Sequence, residues 1–205
     1  MRILHITRDY PPHTRGGISI AVEGAAQALK REGHEVAVIS FDDFRPTKGP
    51  PPVIGRLTLT RPEGVGVVRV GGLWHLEAAR KFATDFDADV VQVHDGMLWP
   101  FGRGLPGRQH LYFVHVDHAA MNRIRGVTEA TRSLVAQDTA LAEADAVWVP
   151  SEHTAQGVAD RTSQPVRVVG LGFNAPAASI VTEAAPRSET EVLYAGRFDE
   201  AKGTA

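Results

Sequence analysis

The amino-acid sequence predicts an α/β fold, a doubly wound parallel sheet with helices on both faces. Three observations support this prediction. Short runs rich in valine and isoleucine alternate along the chain with segments of helical periodicity. Turns rich in glycine and proline separate these segments. Several of the apolar runs end in ionisable side chains, as strands do where a sheet meets a ligand cleft.

The first part of the chain predicts a βαβ unit. Residues 2–7 (RILHIT) form a strand, and residues 9–17 (DYPPHTRGG) form a loop because of their prolines and glycines. A helix follows, which Gly33 ends, and its apolar residues recur at helical spacing: Ile18, Val22, Ala25 and Leu29. Residues 35–40 (EVAVIS) form the second strand. We expect the proline-rich, basic residues 44–62 to form an exposed, mobile loop rather than an element.

The same alternation continues beyond this loop. Predicted strands occupy residues 66–70, 89–93, 111–114, 146–150 and 166–169. Predicted helices occupy residues 73–83, residues 129–143, and a stretch that Ser151 caps and that reaches about residue 160. Residues 175–187 then shift to alanine, proline and serine, and residues 192–195 (VLYA) open another strand.

These patterns predict three regions. Residues 1–176 form an N-terminal domain with a Rossmann-like doubly wound sheet, residues 177–190 form a linker, and residues 191–205 begin a second domain. A chain of 205 residues is long for one domain and short for two, which agrees with this division.

Charge and cysteine content restrict the partners. The 22 basic and 24 acidic residues nearly cancel, which disfavours nucleic acid and favours a small ligand. With no cysteine there is no disulfide framework or thiolate metal site, and no apolar run is long enough to span a bilayer. We therefore expect a soluble, cytoplasmic protein.

Ionisable side chains mark one edge of the predicted sheet. His94 follows the strand at residues 89–93 and His115 follows the strand at residues 111–114, so both could converge in one cleft. Asp95, Asp117 and His118 lie close to them in the sequence. Zinc uses the same residue types, but these groups lack a tight spacing on one element, so we expect no metal. Ser151 and His153 are not a hydrolase pair, because no GxSxG surrounds the serine.

Two further segments fit the binding of phosphate. Gly16 and Gly17 place backbone amides at the start of a helix, where an anion can approach, although two glycines are as often ordinary turn residues. The loop is not the GxGxxG of a dinucleotide fold, and Glu35 does not end the second strand as such a cofactor requires. In YAGRFDEAKG, Arg197 and Lys202 follow a strand through a glycine turn and could neutralise a diphosphate without a metal.

Six segments occur in the order and spacing of one family. They are GGI before a helix ending in LKREGHEV, then DVVQVHDG, FVHVDH, LAEADAVWVPSE, VRVVGLGFN and VLYAGRFDEAKG. On these segments the chain resembles, over almost its whole length, the family four retaining glycosyltransferases of the GT-B fold. Where many members have a PNGVD turn, residues 171–175 read LGFNA.

The resemblance implies roles for the matched residues. Gly16 and Gly17 fall on the glycine loop that approaches the donor diphosphate and the acceptor. Arg197 and Lys202 fall on the cation pair that binds the leaving diphosphate. His115 falls on the histidine beside the donor sugar, and we expect it to be catalytic. Four residues are expected to bind the acceptor, the last by resemblance to a phosphate contact in mycothiol-type relatives: His94, Asp95, His118 and Arg132.

The resemblance also implies an activity. A sugar would pass from a nucleotide diphosphate sugar to the hydroxyl of a small-molecule, lipid or glycan acceptor, with retention and without a metal or other cofactor. In the family a second domain supplies most of the nucleotide pocket, so we expect this chain to need that domain, or a second chain, for activity. A non-catalytic binding or assembly subunit with the same fold is the main alternative. An oxidoreductase ranks below it, because its glycine motif is missing.

Overall fold

The computed structural model describes residues 1–13, 16–41, 58–60, 64–72 and 75–172. The predicted linker at residues 177–190 and the region from residue 191, with Arg197 and Lys202, lie outside these residues. Most of the predicted loop at residues 44–62 also lies outside them. The division of the chain into domains therefore stays a prediction.

One sheet of eight strands organises the described residues. The strands are Arg2–Thr7 (β1), Glu35–Ser40 (β2), Thr58–Thr60 (β3), Gly66–Arg69 (β4), Ala88–Val93 (β5), Gly107–Phe113 (β6), Ala146–Val149 (β7) and Val166–Val168 (β8). Their order in the sheet is β3-β4-β2-β1-β5-β6-β7-β8. All neighbours are parallel except β3, which is antiparallel to β4. The sheet grows from β1 first to one side and then to the other, which confirms the predicted doubly wound fold.

This strand order places the switch of direction between β1 and β5. In open α/β sheets, ligands bind in the crevice outside the carboxyl ends of the strands at such a switch point. The neighbouring carboxyl ends of β1, β5 and β6 are therefore the expected position of a site.

Six α-helices lie among the described residues. They are Gly17–Arg31 (α1), Leu76–Phe86 (α2), Trp99–Arg103 (α3), His118–Ile124 (α4), Arg132–Glu143 (α5) and Glu152–Val158 (α6). The hydroxyl of Ser151 accepts a hydrogen bond from the backbone N–H of Thr154 at 3.2 Å, which confirms the predicted cap of α6. Thr131 caps α5 in the same way through Leu134. None of the described helices is both long and apolar enough to cross a bilayer.

Two hydrophobic clusters form the core. The larger one contains Leu4 and Ile6 of β1 and continues through β5, β6 and β7. In the smaller one, Val22 and Ala26 of α1 pack with Val36 and other valines of β2 and β4. Because β1 contributes alternate residues to opposite faces, His5 lies on the face opposite Leu4 and Ile6.

The structure corrects several predicted elements. Thr58–Thr60 is a short strand inside the predicted loop, because its backbone pairs with the outer edge of β4. Strand β6 begins at Gly107, four residues before its predicted start, since ladder bonds to β5 extend there even where side chains are exposed. Helix α2 begins at Leu76 rather than residue 73. Helices α3 and α4 were not predicted, and α5 begins at Arg132 rather than at residue 129.

Candidate active site

A cavity of about 690 Å³ lies at the carboxyl edge of the sheet. It is bounded by the end of β1, the start of α1, and the loops after β5 and β6. Six of the residues predicted as site residues line it: Gly16, Gly17, His94, Asp95, His115 and His118. The structure therefore brings these residues together, while their individual roles stay predictions.

The glycine loop forms one wall of the cavity. Gly16 has extended backbone geometry and Gly17 is the first residue of α1, a helix of 15 residues. Within the described chain, no side chain caps this helix, and a Cβ built at either glycine would meet no atom within 4 Å. The first turn of α1 thus presents backbone N–H groups on an open side, where the helix dipole favours an anion. Here the glycines leave room beside the backbone rather than relieving a clash inside the protein.

Three histidines cross from the sheet to the cavity in one hydrogen-bonded chain. Nδ1 of His5 lies 3.0 Å from Nε2 of His94, and Nδ1 of His94 lies 2.9 Å from Nε2 of His115. The rings of both His94 and His115 stack on Phe113. His94 and His115 were predicted from the sequence, whereas His5 was missed because it lies inside the apolar run of β1 and had the pattern of a core residue.

Burial keeps the three imidazoles neutral. It lowers the pKa of His5 and of His115 to about 4. Burial also lowers the pKa of His94 well below 6.5, and repulsion from His115 and His5 adds to this shift. A neutral imidazole carries one N–H and one lone pair, so at pH 7 the chain offers hydrogen bonds to a ligand without a net charge.

Hydrogen bonds with Gln137 and Arg161 fix the loop between β6 and α4. The side chain of Gln137 donates to the carbonyl of Val116 at 2.7 Å and accepts from the backbone N–H of His118 at 2.9 Å. Arg161 donates to the carboxylate of Asp117 at 2.9 Å, and that carboxylate caps α4 through the N–H of Ala119. Gln137 and Arg161 were missed, because nothing in their local sequence indicates a partner 19 or more residues away.

A cation and a carboxylate flank the histidines. Arg8 pairs with Asp95 at 3.4 Å, and Asp95 also accepts a hydrogen bond from the backbone N–H of Met97 at 2.7 Å.

Two further lining residues have shifted pKa values. Burial lowers the pKa of His118, although the carboxylates of Asp95 and Asp117 oppose this shift. Burial raises the pKa of Tyr112, another lining residue, to about 12, so its hydroxyl stays protonated. Arg8 and Tyr112 were not predicted as site residues.

One of the predicted site residues that the structure describes, Arg132, does not line this cavity. Arg132 is the exposed first residue of α5 and does not line the cavity, whereas its neighbour Ser133 does. The side chain direction at a helix start, which the sequence pattern does not specify, decides between them. Arg197 and Lys202 lie outside the described residues.

Comparison with known proteins agrees with this architecture. The model of the family described as Glycosyltransferase Family 4 matches residues 15–175. An uncharacterized glycosyltransferase of Methanocaldococcus jannaschii is 29% identical over an alignment of 132 residues that covers 58% of this chain and 31% of that protein.

Solved structures share the fold at low identity. The sucrose-phosphate synthase from Thermosynechococcus elongatus aligns with a TM-score of 0.65 and 13% identity, covering 85% of this chain and 49% of the synthase chain. A second structure of this synthase aligns with a TM-score of 0.51 and 15% identity, covering 84% of this chain and 90% of the other. The chain thus spans about a third of its curated relative and about half of the first synthase structure. It belongs to Glycosyltransferase Family 4 and has the Rossmann-like fold of the N-terminal half of a GT-B glycosyltransferase.

Proposed function

We propose that this chain forms the acceptor-binding half of a glycosyltransferase that moves a sugar from a nucleotide diphosphate sugar to an acceptor hydroxyl with retention. The observation that carries the proposal is the cavity at the carboxyl edge. It is lined both by the glycines at the start of α1 and by the hydrogen-bonded pair His94 and His115. An anion site and a neutral hydrogen-bonding site within one cleft are what a charged leaving group and a sugar ring require.

The cavity contains groups suited to both ends of the reaction. Backbone N–H groups at the start of α1 can bind phosphate oxygens of the donor or the acceptor. His115 lines the same cavity, is hydrogen-bonded to His94, and can make a hydrogen bond to a sugar hydroxyl. Asp95 and His118, which also line the cavity, remain as candidate acceptor contacts. Arg132 is a weaker candidate, because its side chain is exposed and outside the cavity lining.

The leaving diphosphate would be stabilised by cations rather than by a metal. Arg197 and Lys202 are the proposed pair, and positioned cations of this kind stabilise the charge that develops as the sugar departs. Most of the nucleotide pocket would come from the half of the relatives that this chain does not span, supplied by the same protein or a second chain. We therefore propose that the chain by itself binds nucleotide weakly and does not transfer sugar.

A transfer assay tests the proposal. Radiolabelled UDP-, GDP- and ADP-sugars are incubated with a mixture of alcohol, sugar-phosphate and glycan acceptors and with the protein that carries both halves. The expected result is a labelled product with the anomeric configuration of the donor, formed equally well in the presence of EDTA. Activity that EDTA abolishes and one added metal restores would contradict the metal-free mechanism.

The isolated chain is the matched control. Titration with UDP, GDP and ADP by calorimetry is expected to show at most weak binding, because the second half would supply most nucleotide contacts and ion pairs in water contribute little by themselves. Micromolar binding together with turnover by the chain alone would contradict the need for a second half. If neither the chain nor the two-halved protein transfers any sugar, the alternative of a non-catalytic binding subunit replaces the proposal.

A further inference from the structure

His94 and His115 line the cleft, and hydrogen bonds connect them in a row with the buried His5. We propose that His5 and His94 are positioning residues that fix the ring orientation and the tautomer of His115, so that His115 presents its Nδ1–H to the ligand. The role of His115 towards a sugar rests on the proposed function, whereas the tautomer assignment does not.

Strand register brings the three rings together. His5 of β1 is paired with Gln92 of β5, so His94 lies one strand over and two residues nearer the carboxyl edge. Gln92 is paired in turn with Leu111 of β6, which places His115 another strand over and two residues further. Each step to the next strand thus advances by two residues. Because side chains two residues apart lie on the same face of a sheet, all three imidazoles lie on one face. The result is a diagonal row that runs from the buried centre to the cavity.

A count of protons leaves two possible arrangements. Each neutral ring has one N–H, and each of the two ring-to-ring bonds needs one N–H and one lone pair. If His5 donates from Nδ1, then His94 must donate from Nδ1 as well, and His115 also carries its proton on Nδ1. If the direction is reversed, all three rings carry their protons on Nε2.

Burial of His5 decides between the two arrangements. Nε2 of His5 is buried and has no hydrogen-bond partner among the described residues. In the reversed arrangement this atom would be an N–H buried without an acceptor, which native structures rarely contain. In the first arrangement it is only a lone pair, which is tolerated better. The first arrangement places the proton of His115 on Nδ1, at the end of the histidine row that lies in the cleft.

The surroundings allow this donor to meet a ligand. Nδ1 of His115 makes no hydrogen bond within the described part of the protein, and His115 lines the cavity. Phe113 stacks on its ring with centroids 4.4 Å apart, and Nε2 is bonded to His94, so the ring cannot turn freely. Besides His115 and its partner His94, the ionisable residues of the described chain that line the cavity are Arg8, Asp9, Asp95, Tyr112 and His118. His115 would therefore donate to a hydroxyl or phosphate oxygen instead of removing a proton from it.

Nitrogen NMR of the 205-residue chain with ¹⁵N-labelled histidine rings is the direct test. Protonated and unprotonated ring nitrogens of a neutral imidazole resonate far apart, so each tautomer is read from the spectrum. His110 is a matched internal control: it is as buried as His94, and its Nε2 lies 3.1 Å from the carbonyl of Leu105, which can only accept. We expect protons on Nδ1 of His5, His94 and His115 and on Nε2 of His110. Nε2 protonation of His94 and His115 in the same spectrum would overturn the proposal.

Variants test the positioning role separately from the tautomer of the unchanged chain. His94→Leu removes the bond to Nε2 of His115, so this ring should populate both tautomers at pH 7. In the protein that carries both halves, His5→Leu should lower kcat by about tenfold, as loss of a supporting hydrogen bond often does, with little change in KM. His5→Asn should recover most of this loss, because its amide can donate where Nδ1 of His5 does.

The outcomes distinguish the two proposals. A single unchanged His115 tautomer in folded His94→Leu, or equal kcat for His5→Leu and the unchanged enzyme, would overturn the positioning role. Expected tautomers in a protein that transfers no sugar would leave the assignment of the histidines intact and would overturn the proposed function alone.

Discussion

The two edges of the sheet both carry ionisable side chains and a cavity, but they hold these groups in different ways. At the amino edge, a cavity of about 400 Å³ is lined by Arg2 and Asp89 among others. The ion pairs there are open to water, with Asp87 69% and Arg108 81% exposed. At the carboxyl edge, His94 is 4% exposed and is hydrogen-bonded to His5, which lies in the interior of the sheet and is 0% exposed. A cavity alone therefore does not identify the site, whereas buried ionisable groups beside a cavity do.

The physical difference is the cost of burial. Exposed ion pairs contribute little to stability, about 0 to 1 kcal/mol, and need no special environment. A buried imidazole loses hydration and must find partners inside the protein. In the part of the chain that the structure describes, the buried ring nitrogens of these histidines have partners except Nε2 of His5, and Nδ1 of His115 is left for a ligand. The protein thus keeps polar groups where apolar ones would pack more simply. Buried polar groups that are kept at this cost indicate that the carboxyl edge has a function.

The largest expected difference between the edges is in activity. In the protein that carries both halves, His115→Ala should lower kcat by about 10² to 10³, as loss of one positioned hydrogen-bond group does. The fold should survive, because His115 lies beyond the end of β6. Steady-state kinetics and thermal unfolding measure the two effects. Full activity in the folded variant would remove His115 from the catalytic residues.

The proposed diphosphate contacts should show the next largest effect. Arg197→Ala and Lys202→Ala should each lower kcat/KM by an amount worth about 2 to 4 kcal/mol, through lost stabilisation of the departing diphosphate. Lys81→Ala is the control, because its side chain is exposed and pairs with Asp85 on the same helix, α2. Equal losses in all three variants would show that the effect is not specific to the cleft.

Protonation of buried or hydrogen-bonded groups near the two edges should lower the free energy of unfolding in different pH ranges. The folded pKa of His5, about 4, lies below the ordinary 6.5, so the unfolded chain binds the proton first as the pH falls. The contribution of His5 to the free energy of unfolding is therefore fully present above about pH 6.5 and declines towards pH 4. Roughly 2 kcal/mol of it is lost between pH 7 and 5. At the amino edge the backbone N–H of Arg2 lowers the pKa of Asp89 below 3.8, so its contribution is lost only at more acidic pH.

Urea unfolding at pH 7 and pH 5 measures this difference. The unchanged chain should lose more stability between these values than His5→Leu, which has no imidazole to protonate there. Asp89→Asn should lose as much as the unchanged chain. Equal pH dependence in the unchanged chain and His5→Leu would show that His5 is not held neutral by burial.

The smallest effect is expected at the amino edge. Arg108→Ala removes a side chain that is 81% exposed and that approaches Asp89 only to 3.5 Å. The free energy of unfolding should change by less than about 0.5 kcal/mol, and activity should not change. Chemical denaturation and the transfer assay measure both. A large loss of activity would mean that the amino edge has a part in the function.

Local patterns were enough to predict most of the fold and part of the site. The strands β1 and β2 have their predicted bounds, because alternation of apolar runs and turn residues is a property of neighbouring amino acids. His94 and His115 were predicted for a similar reason, since each follows directly on a buried strand. The glycine loop was also recognised from its composition and its place before a helix.

The tertiary structure alone decided the partners of these residues. His5 joins the site because β1 lies beside β5, and Gln137 and Arg161 hold the loop at His118 from distant helical segments. Thr58–Thr60 became a strand only because β4 offered a free edge, and Ser133 lines the cavity whereas its neighbour Arg132 does not. Such contacts depend on strand order and side chain direction, which arise when distant segments pack and leave no mark on the local sequence.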